Sequence, residues 1–292
     1  MNQDISICVL TENEMGWTEP FELDKVQILD NYYLSAQKSD IAFLKKMDTA
    51  RLLAGFRTTA GIDTKGVRPY GGWEDSLLGG HCVGHYLTAL AQAVKVTGDK
   101  ELKEKSQTLI AGLEECQKKL GTGFLFGAKV EDKEDVEKQF DILEGKKKGE
   151  TWVPWYNMHK VLAGLVDTYK YTGNETALLV AEKLGDWIYE RVSKWDLKTN
   201  QKVLETEYGG MNDCLYELYS YSHNKHHLEA AQKFDEKALF LMAAKGEKNC
   251  LDGKHANTQI PKFIGAIKRY NVLKQLGEAK QEDEAYLVDA EK

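Results

Sequence analysis

Three short turns recur along the chain: Thr97-Gly98-Asp99, Thr172-Gly173-Asn174 and His223-Asn224-Lys225, with a degenerate fourth at Leu276-Gly277-Glu278. A Gly followed at once by Asp or Asn is a helix stop joined directly to a helix start. The glycine takes the left-handed conformation that ends one helix, and the next side chain caps the free N–H groups of the following one. Each turn ends a helical run of about 15–20 residues. Each is followed by an apolar row: Leu102 with Leu109, Leu178 with Leu184, Leu228 with Phe234. The repeating unit is therefore an antiparallel helix pair. Only four prolines in 292 residues agree with long helices, which proline breaks.

The other ends of these pairs are longer and chemically rich: Gly71–His85, Gly149–His159, Glu205–Asp213 and Asp252–Pro261. One end of the molecule is expected to carry tight, bland turns and the other a polar pocket. That asymmetry predicts an all-α fold, an (α/α)6-barrel or six-hairpin toroid. The pattern gives about nine helices, the last at Glu284–Lys292. Nine helices leave the toroid incomplete, with an open apolar edge and self-association through it. The expected division is an N-terminal extended segment, residues 1–28, and a partial α/α-barrel catalytic domain, residues 29–292. Phe21–Leu29 alternates like one strand, and Asn31–Phe56 reads as one helix. The charged stretch 127–150 reads as an exposed, partly helical loop, with Lys146–Lys148 in a solvated turn.

A net charge of −7 offers no basic surface for nucleic acid. The N-terminus shows neither the basic nor the apolar region of a signal peptide. No window nears the roughly 18 apolar residues of a membrane span, so a cytoplasmic location is expected. Cys8, Cys82, Cys116, Cys214 and Cys250 are odd in number and lack C-x-x-C spacing, which points to free thiols rather than disulfides or a zinc ribbon.

Four clusters carry the candidate chemistry. In GGWEDSLLGGHCVGHYLTALAQ, residues 71–92, His81 and His85 are four apart and share a helix face. Such a pair grips a polar ligand, holds a metal, or is satisfied internally. The metalloprotease form needs Glu after the first His, and Cys82 stands there, so no metal site is assigned. Trp73 offers a flat apolar platform to a sugar face, or packs in the core, with Glu74 and Asp75 beside it. In TWVPWYNMHK, residues 151–160, Trp155 and His159 are candidate ligand contacts at a rigid helix entry. In EYGGMND, residues 207–213, the two glycines let backbone approach a ligand closely. Asn212 there is a ligand contact or a cap, and Glu207 is a weak candidate for a catalytic acid. Ordinary glycoside hydrolysis needs a second carboxylate about 5–9 Å away, which Glu74 or Asp75 would have to supply. In HANTQIPK, residues 255–262, His255 and Asn257 belong to a hydrogen-bonding group larger than capping can use.

At these clusters the chain resembles the glycoside hydrolase family 127 proteins, the β-L-arabinofuranosidase group also known as DUF1680. The matching stretches are GGWEDSLLGGHCVGHYLTALA, TWVPWYNMHKVLAGLVDTYKYTGNETAL, EYGGMNDCLYELY and HANTQIPKFIGAIKRY, in the family order. The resemblance implies an (α/α)6 barrel and retaining exo-hydrolysis of L-arabinofuranosides, with release of L-arabinose from plant-type glycans or glycoproteins. It implies a cysteine thiolate nucleophile held by zinc, with further Cys and Glu ligands, and a Glu acid/base. In the family those residues lie beyond the HANTQIPK helix, in a Glu-x-Cys element and a Cys-Cys pair. The sequence runs from Tyr270 only to Lys292, and neither element lies in that stretch, nor do the family's β-sandwich domains. By resemblance, what remains is the sugar-gripping part: His85, His159 and His255, with Trp73, Trp155, Glu207 and Asn257 near them. No cofactor is expected in this chain, zinc being expected in a full-length relative. The chain is expected to be an inactive or partial arabinofuranosidase-like domain whose partner is an arabinofuranoside-like carbohydrate. The alternatives are a non-catalytic carbohydrate-binding or partner-completed subunit, and a complete hydrolase pairing Glu207 with Glu74 or Asp75.

Overall fold

The computed structural model describes residues 20–247, 250–284 and 286. Among them there is no strand; residues 281–284 form a short helical stretch, preceded by twelve α-helices. They are α1 (Asn31–Lys46), α2 (Thr49–Thr59), α3 (His81–Thr97), α4 (Lys100–Leu120), α5 (Lys138–Leu143), α6 (Pro154–Thr172), α7 (Glu175–Val192), α8 (Leu197–Leu204), α9 (Met211–Ser222), α10 (Lys225–Lys233), α11 (Lys237–Ala244) and α12 (Ala256–Gln275). The recurring turns behave as the sequence predicts. Gly98, Gly173 and His223 are left-handed, with φ of 65°, 67° and 51°. Asp99, Asn174 and Asn224 then accept from the N–H groups of Leu102 (3.1 Å), Ala177 (3.1 Å) and His226 (3.0 Å). These turns close the hairpins α3–α4, α6–α7 and α9–α10.

Helices α3, α6, α9 and α12 pack side by side in that order as an inner layer, with α4, α7 and α10 outside them. Between the layers lies an apolar core in which aromatic rings meet edge to face or tilted. Phe140 and Phe234 stand 4.9 Å and 5.1 Å from Trp155, and Phe124 stands 4.7 Å from Trp187. Rings of this size dominate core energetics through the area they remove from water. The α3–α6 approach is the tightest in the layer. A Cβ on Gly84 would collide with the Lys160 carbonyl, and one on Gly164 with the Gly84 carbonyl. Two glycines thus set the separation and bring the first turns of α3 and α6 together.

Several expectations change. The described helices exceed nine: twelve run up to Gln275, and residues 281–284 are helical after them. Asn31–Phe56 divides because Met47 is extended and Asp48 starts a new helix, its Oδ1 accepting from Ala50 N–H at 2.8 Å. Short α5, α8 and α11 carry too few residues to show a period. The helix expected at Glu284–Lys292 lies outside the described residues except for Glu284 and Tyr286. Phe21–Leu29 is not a strand. Leu23–Lys25 is one 3-10 turn, with Glu22 and Asp24 each 3.5 Å from Lys95 of α3. Residues 1–19 of the expected N-terminal segment lie outside the described residues. The charged stretch 127–150 is anchored rather than merely solvated. Glu137, Asp141 and Glu144 converge on buried Arg191 of α7 at 2.8, 2.5 and 2.6 Å.

Candidate functional site

Each hairpin returns the chain, so the inner helices run parallel and their N-terminal ends share one face. The four clusters lie at those ends, where α3, α6, α9 and α12 begin. The tight turns occupy the opposite end.

Gly80 precedes α3 in the left-handed conformation and has no side chain to cap the helix. The first N–H groups of a helix need partners. Glu74, six residues upstream, supplies them: Oε2 accepts from Gly80 N–H at 2.8 Å and Oε1 from Cys82 N–H at 3.2 Å. Its charge also opposes the positive helix end. Oε1 lies 2.8 Å from His81 Nδ1, and the Leu78 carbonyl lies 2.9 Å from the same nitrogen. Both neighbours accept, so Nδ1 carries a proton. Nε2 then faces Cys82 Sγ at 3.7 Å. Burial alone would raise the Glu74 pKa, but the bonds from His81, Gly80 and Cys82 outweigh it and hold the carboxylate below its ordinary range. Burial likewise pushes His81 down, but Cys82 and Glu74 lift it to about 10.

From α6, buried Asn157 donates Nδ2 to the carbonyls of Leu78 (3.1 Å) and Gly79, pinning the turn before α3. The Tyr156 ring lies 6.4 Å from that of His81, and Lys160 Nζ sits 4.7 Å over Tyr156. Burial lowers the Lys160 pKa. His159 Nδ1 accepts from Gly210 N–H at 3.0 Å, so its neutral ring carries hydrogen on Nε2. Burial, helped by Lys160, holds His159 well below its usual pKa. His85 faces the open side of α3. The chain around it and the Lys160 charge lower its pKa, so it too offers a neutral ring with one donor and one acceptor. Trp73 is 66% exposed, its ring 6.3 Å from that of His81. Glu207 accepts from Asn257 Nδ2 at 3.1 Å, joining the third and fourth clusters. His255 is exposed at the start of α12 and does not cap it.

Three expected ligand contacts are placed otherwise. Trp155 is 1% exposed and packed among Phe140, Trp195 and Phe234. Asn212 is fully buried, donating to Asp235 Oδ1 (3.3 Å) and the Lys262 carbonyl (3.2 Å), and so ties α9 to α12. Glu74 is buried and committed to the start of α3. Tyr156, Lys160 and Cys82, by contrast, stand at the site without having been singled out. Tyr156 and Lys160 are four apart on a helix, the spacing that puts two side chains on one face; that signal was available.

Among the described residues one group could hold a metal: Glu74, His81 and Cys82 offer one donor each within 4.8 Å. The Glu74 oxygens already accept three hydrogen bonds. That leaves one imidazole nitrogen and one sulfur, fewer than the three protein ligands of an open zinc site.

A family model described as the β-L-arabinofuranosidase GH127 catalytic domain matches residues 25–285. A solved GH127 β-arabinofuranosidase superposes with a TM-score of 0.58 and 16% identity, covering 94% of this chain and 42% of its own. A GH127 β-L-arabinofuranosidase from Geobacillus stearothermophilus T6 gives a TM-score of 0.49 and 17% identity, covering 91% of this chain and 42% of its own. The chain thus spans 42% of the length of both solved structures. No curated protein matches it.

Proposed function

The chain belongs to the family of GH127 β-L-arabinofuranosidase catalytic domains, and on that footing we propose that the face at the N-terminal ends of α3, α6, α9 and α12 binds a terminal β-L-arabinofuranosyl residue of a plant-type glycan or glycoprotein. The observation that carries this reading is the gathering, on one face, of an exposed Trp73, a neutral His85, Tyr156 under Lys160, and the Glu207–Asn257 pair. A furanose presents hydroxyls that both donate and accept. His85 and Asn257 match them in both senses. The Trp73 ring offers a surface for the sugar's C–H groups.

For hydrolysis, Glu207 is the candidate to exchange a proton with the glycosidic oxygen, a reading supported by its place on this face beside Asn257. Glu74 is not free to act as its partner, so a carboxylate pair would need Asp75, which is exposed. The described residues do not fit a zinc–thiolate centre with several cysteines. Among the described cysteines, Cys116 and Cys214 are buried in the core, and Cys82 alone joins the Glu74–His81 cluster.

Calorimetric titration with methyl β-L-arabinofuranoside tests the reading. Binding is expected that is lost in His85→Ala and weakened about tenfold, or about 1.4 kcal/mol, in Trp73→Ala. Absence of binding at millimolar ligand, or equal binding of methyl β-D-xylopyranoside, contradicts it. Incubation of the same complex separates a hydrolase from a binding subunit: released L-arabinose that vanishes in Glu207→Gln marks the hydrolase.

A further inference from the structure

Glu74, His81 and Cys82 form a second constellation, which sugar binding does not use. Cys82 Sγ lies 3.7 Å from His81 Nε2, and His81 Nδ1 lies 2.8 Å from Glu74 Oε1. A nucleophile, a base and an orienting carboxylate within reach of one another, in that order, is the arrangement that activates a thiol. The base is held in the right sense. The Leu78 carbonyl and Glu74 both accept from Nδ1, so Nε2 is the nitrogen that meets the sulfur. The sulfur sits in the first turn of α3, beside the His81 ring. It is also reachable. Cys82 is half-buried, whereas Cys116 and Cys214 are buried. The other ionisable groups facing this corner are His85 on α3 and Tyr156 and Lys160 on α6, with Glu207 beyond Tyr156. Of these, Lys160 lies over the Tyr156 ring.

We propose that Cys82, with His81 as its base and Glu74 as the orienting group, is a nucleophilic thiol that exchanges with small disulfides. His81 Nε2 holds the proton that Sγ gives up, so the pair reacts as imidazolium and thiolate. The thiolate attacks one sulfur of the disulfide, the S–S bond breaks, and the second half leaves as a thiolate that takes up a proton. Cys82 is oxidised to a mixed disulfide, and the small disulfide is reduced to one thiol.

The test uses the intact chain and 4,4′-dithiodipyridine, a neutral probe, in limiting amount. Thiopyridone release gives the rates, and peptide mass mapping assigns them. Cys82 is expected to react first, at least about tenfold faster than Cys250, the other half-buried described thiol. His81→Gln and Glu74→Gln are each expected to slow Cys82 by about tenfold or more and to leave Cys250 unchanged. Wild-type rates equal at Cys82 and Cys250 overturn the proposal without recourse to any variant. So does a His81→Gln protein in which Cys82 keeps its wild-type rate. Stoichiometric zinc that shields Cys82 until chelated also overturns it, because the sulfur would then be a metal ligand.

Discussion

Two imidazoles of the site, His81 and His159, are defined by what one ring nitrogen touches. His159 spends Nδ1 on Gly210 N–H and is buried, so folding keeps it neutral. Its folded pKa is depressed well below 6.5. Above pH 6.5 both folded and unfolded states are neutral there, and stability is undiminished. As pH falls below 6.5 the unfolded chain takes up a proton that the folded ring refuses, and stability drops by about 1.4 kcal/mol per pH unit per group. His227, buried and also depressed, adds to the slope. Urea unfolding free energies are therefore expected to fall between pH 6.5 and 5. His159→Asn, which can still accept from Gly210, should remove about one proton from that slope; an unchanged slope would show that His159 titrates normally. Residue types alone did not separate Trp73 from Trp155, since both stand beside turn residues. The helical period does separate them. Trp155, Met158 and Leu162 recur at three and four on one face, and all three are buried. Glu74 was illegible for another reason: its partners are backbone N–H groups six and eight residues on, and only the folded turn presents them.

Among the elements, the hairpins were legible because their signal is local. Gly and Asp or Asn in succession specify a stop and a start without reference to anything distant. Gly98 has open space around its Cα and pays only for φ, so Gly98→Ala should cost about 1–2 kcal/mol. Gly84 carries the α3–α6 contact against backbone that cannot yield, so Gly84→Ala should cost about 3 kcal/mol or more. Urea midpoints compare the two; equal losses would remove the helix crossing as the origin of the close approach. Helix α5 was illegible because its cause is remote. Six residues gain their order from Phe140 in the core and from Arg191, about fifty residues on, whose guanidinium holds Glu137, Asp141 and Glu144. Arg191→Met strands three carboxylates around a buried position and should cost about 3–5 kcal/mol. A loss below about 1 kcal/mol would mean that the acidic groups are solvated after all.

For the whole molecule, one topological fact follows from the turns: if every tight turn lies at one end, every long, polar connection lies at the other. The parallel inner helices then put four separate stretches, from Trp73 to Asn257, on a single face. This much was readable from spacing. Which side chains of each stretch reach that face was not, because it depends on helix rotation fixed by core packing. The most direct measurement is hydrogen exchange by mass spectrometry with and without saturating methyl β-L-arabinofuranoside. Protection is predicted at residues 73–86, 155–161, 206–213 and 255–258, with none at the turns around Gly98, Gly173 and His223. Protection at those turns instead, or no protection at saturation, would contradict the assignment of the sugar site to this face.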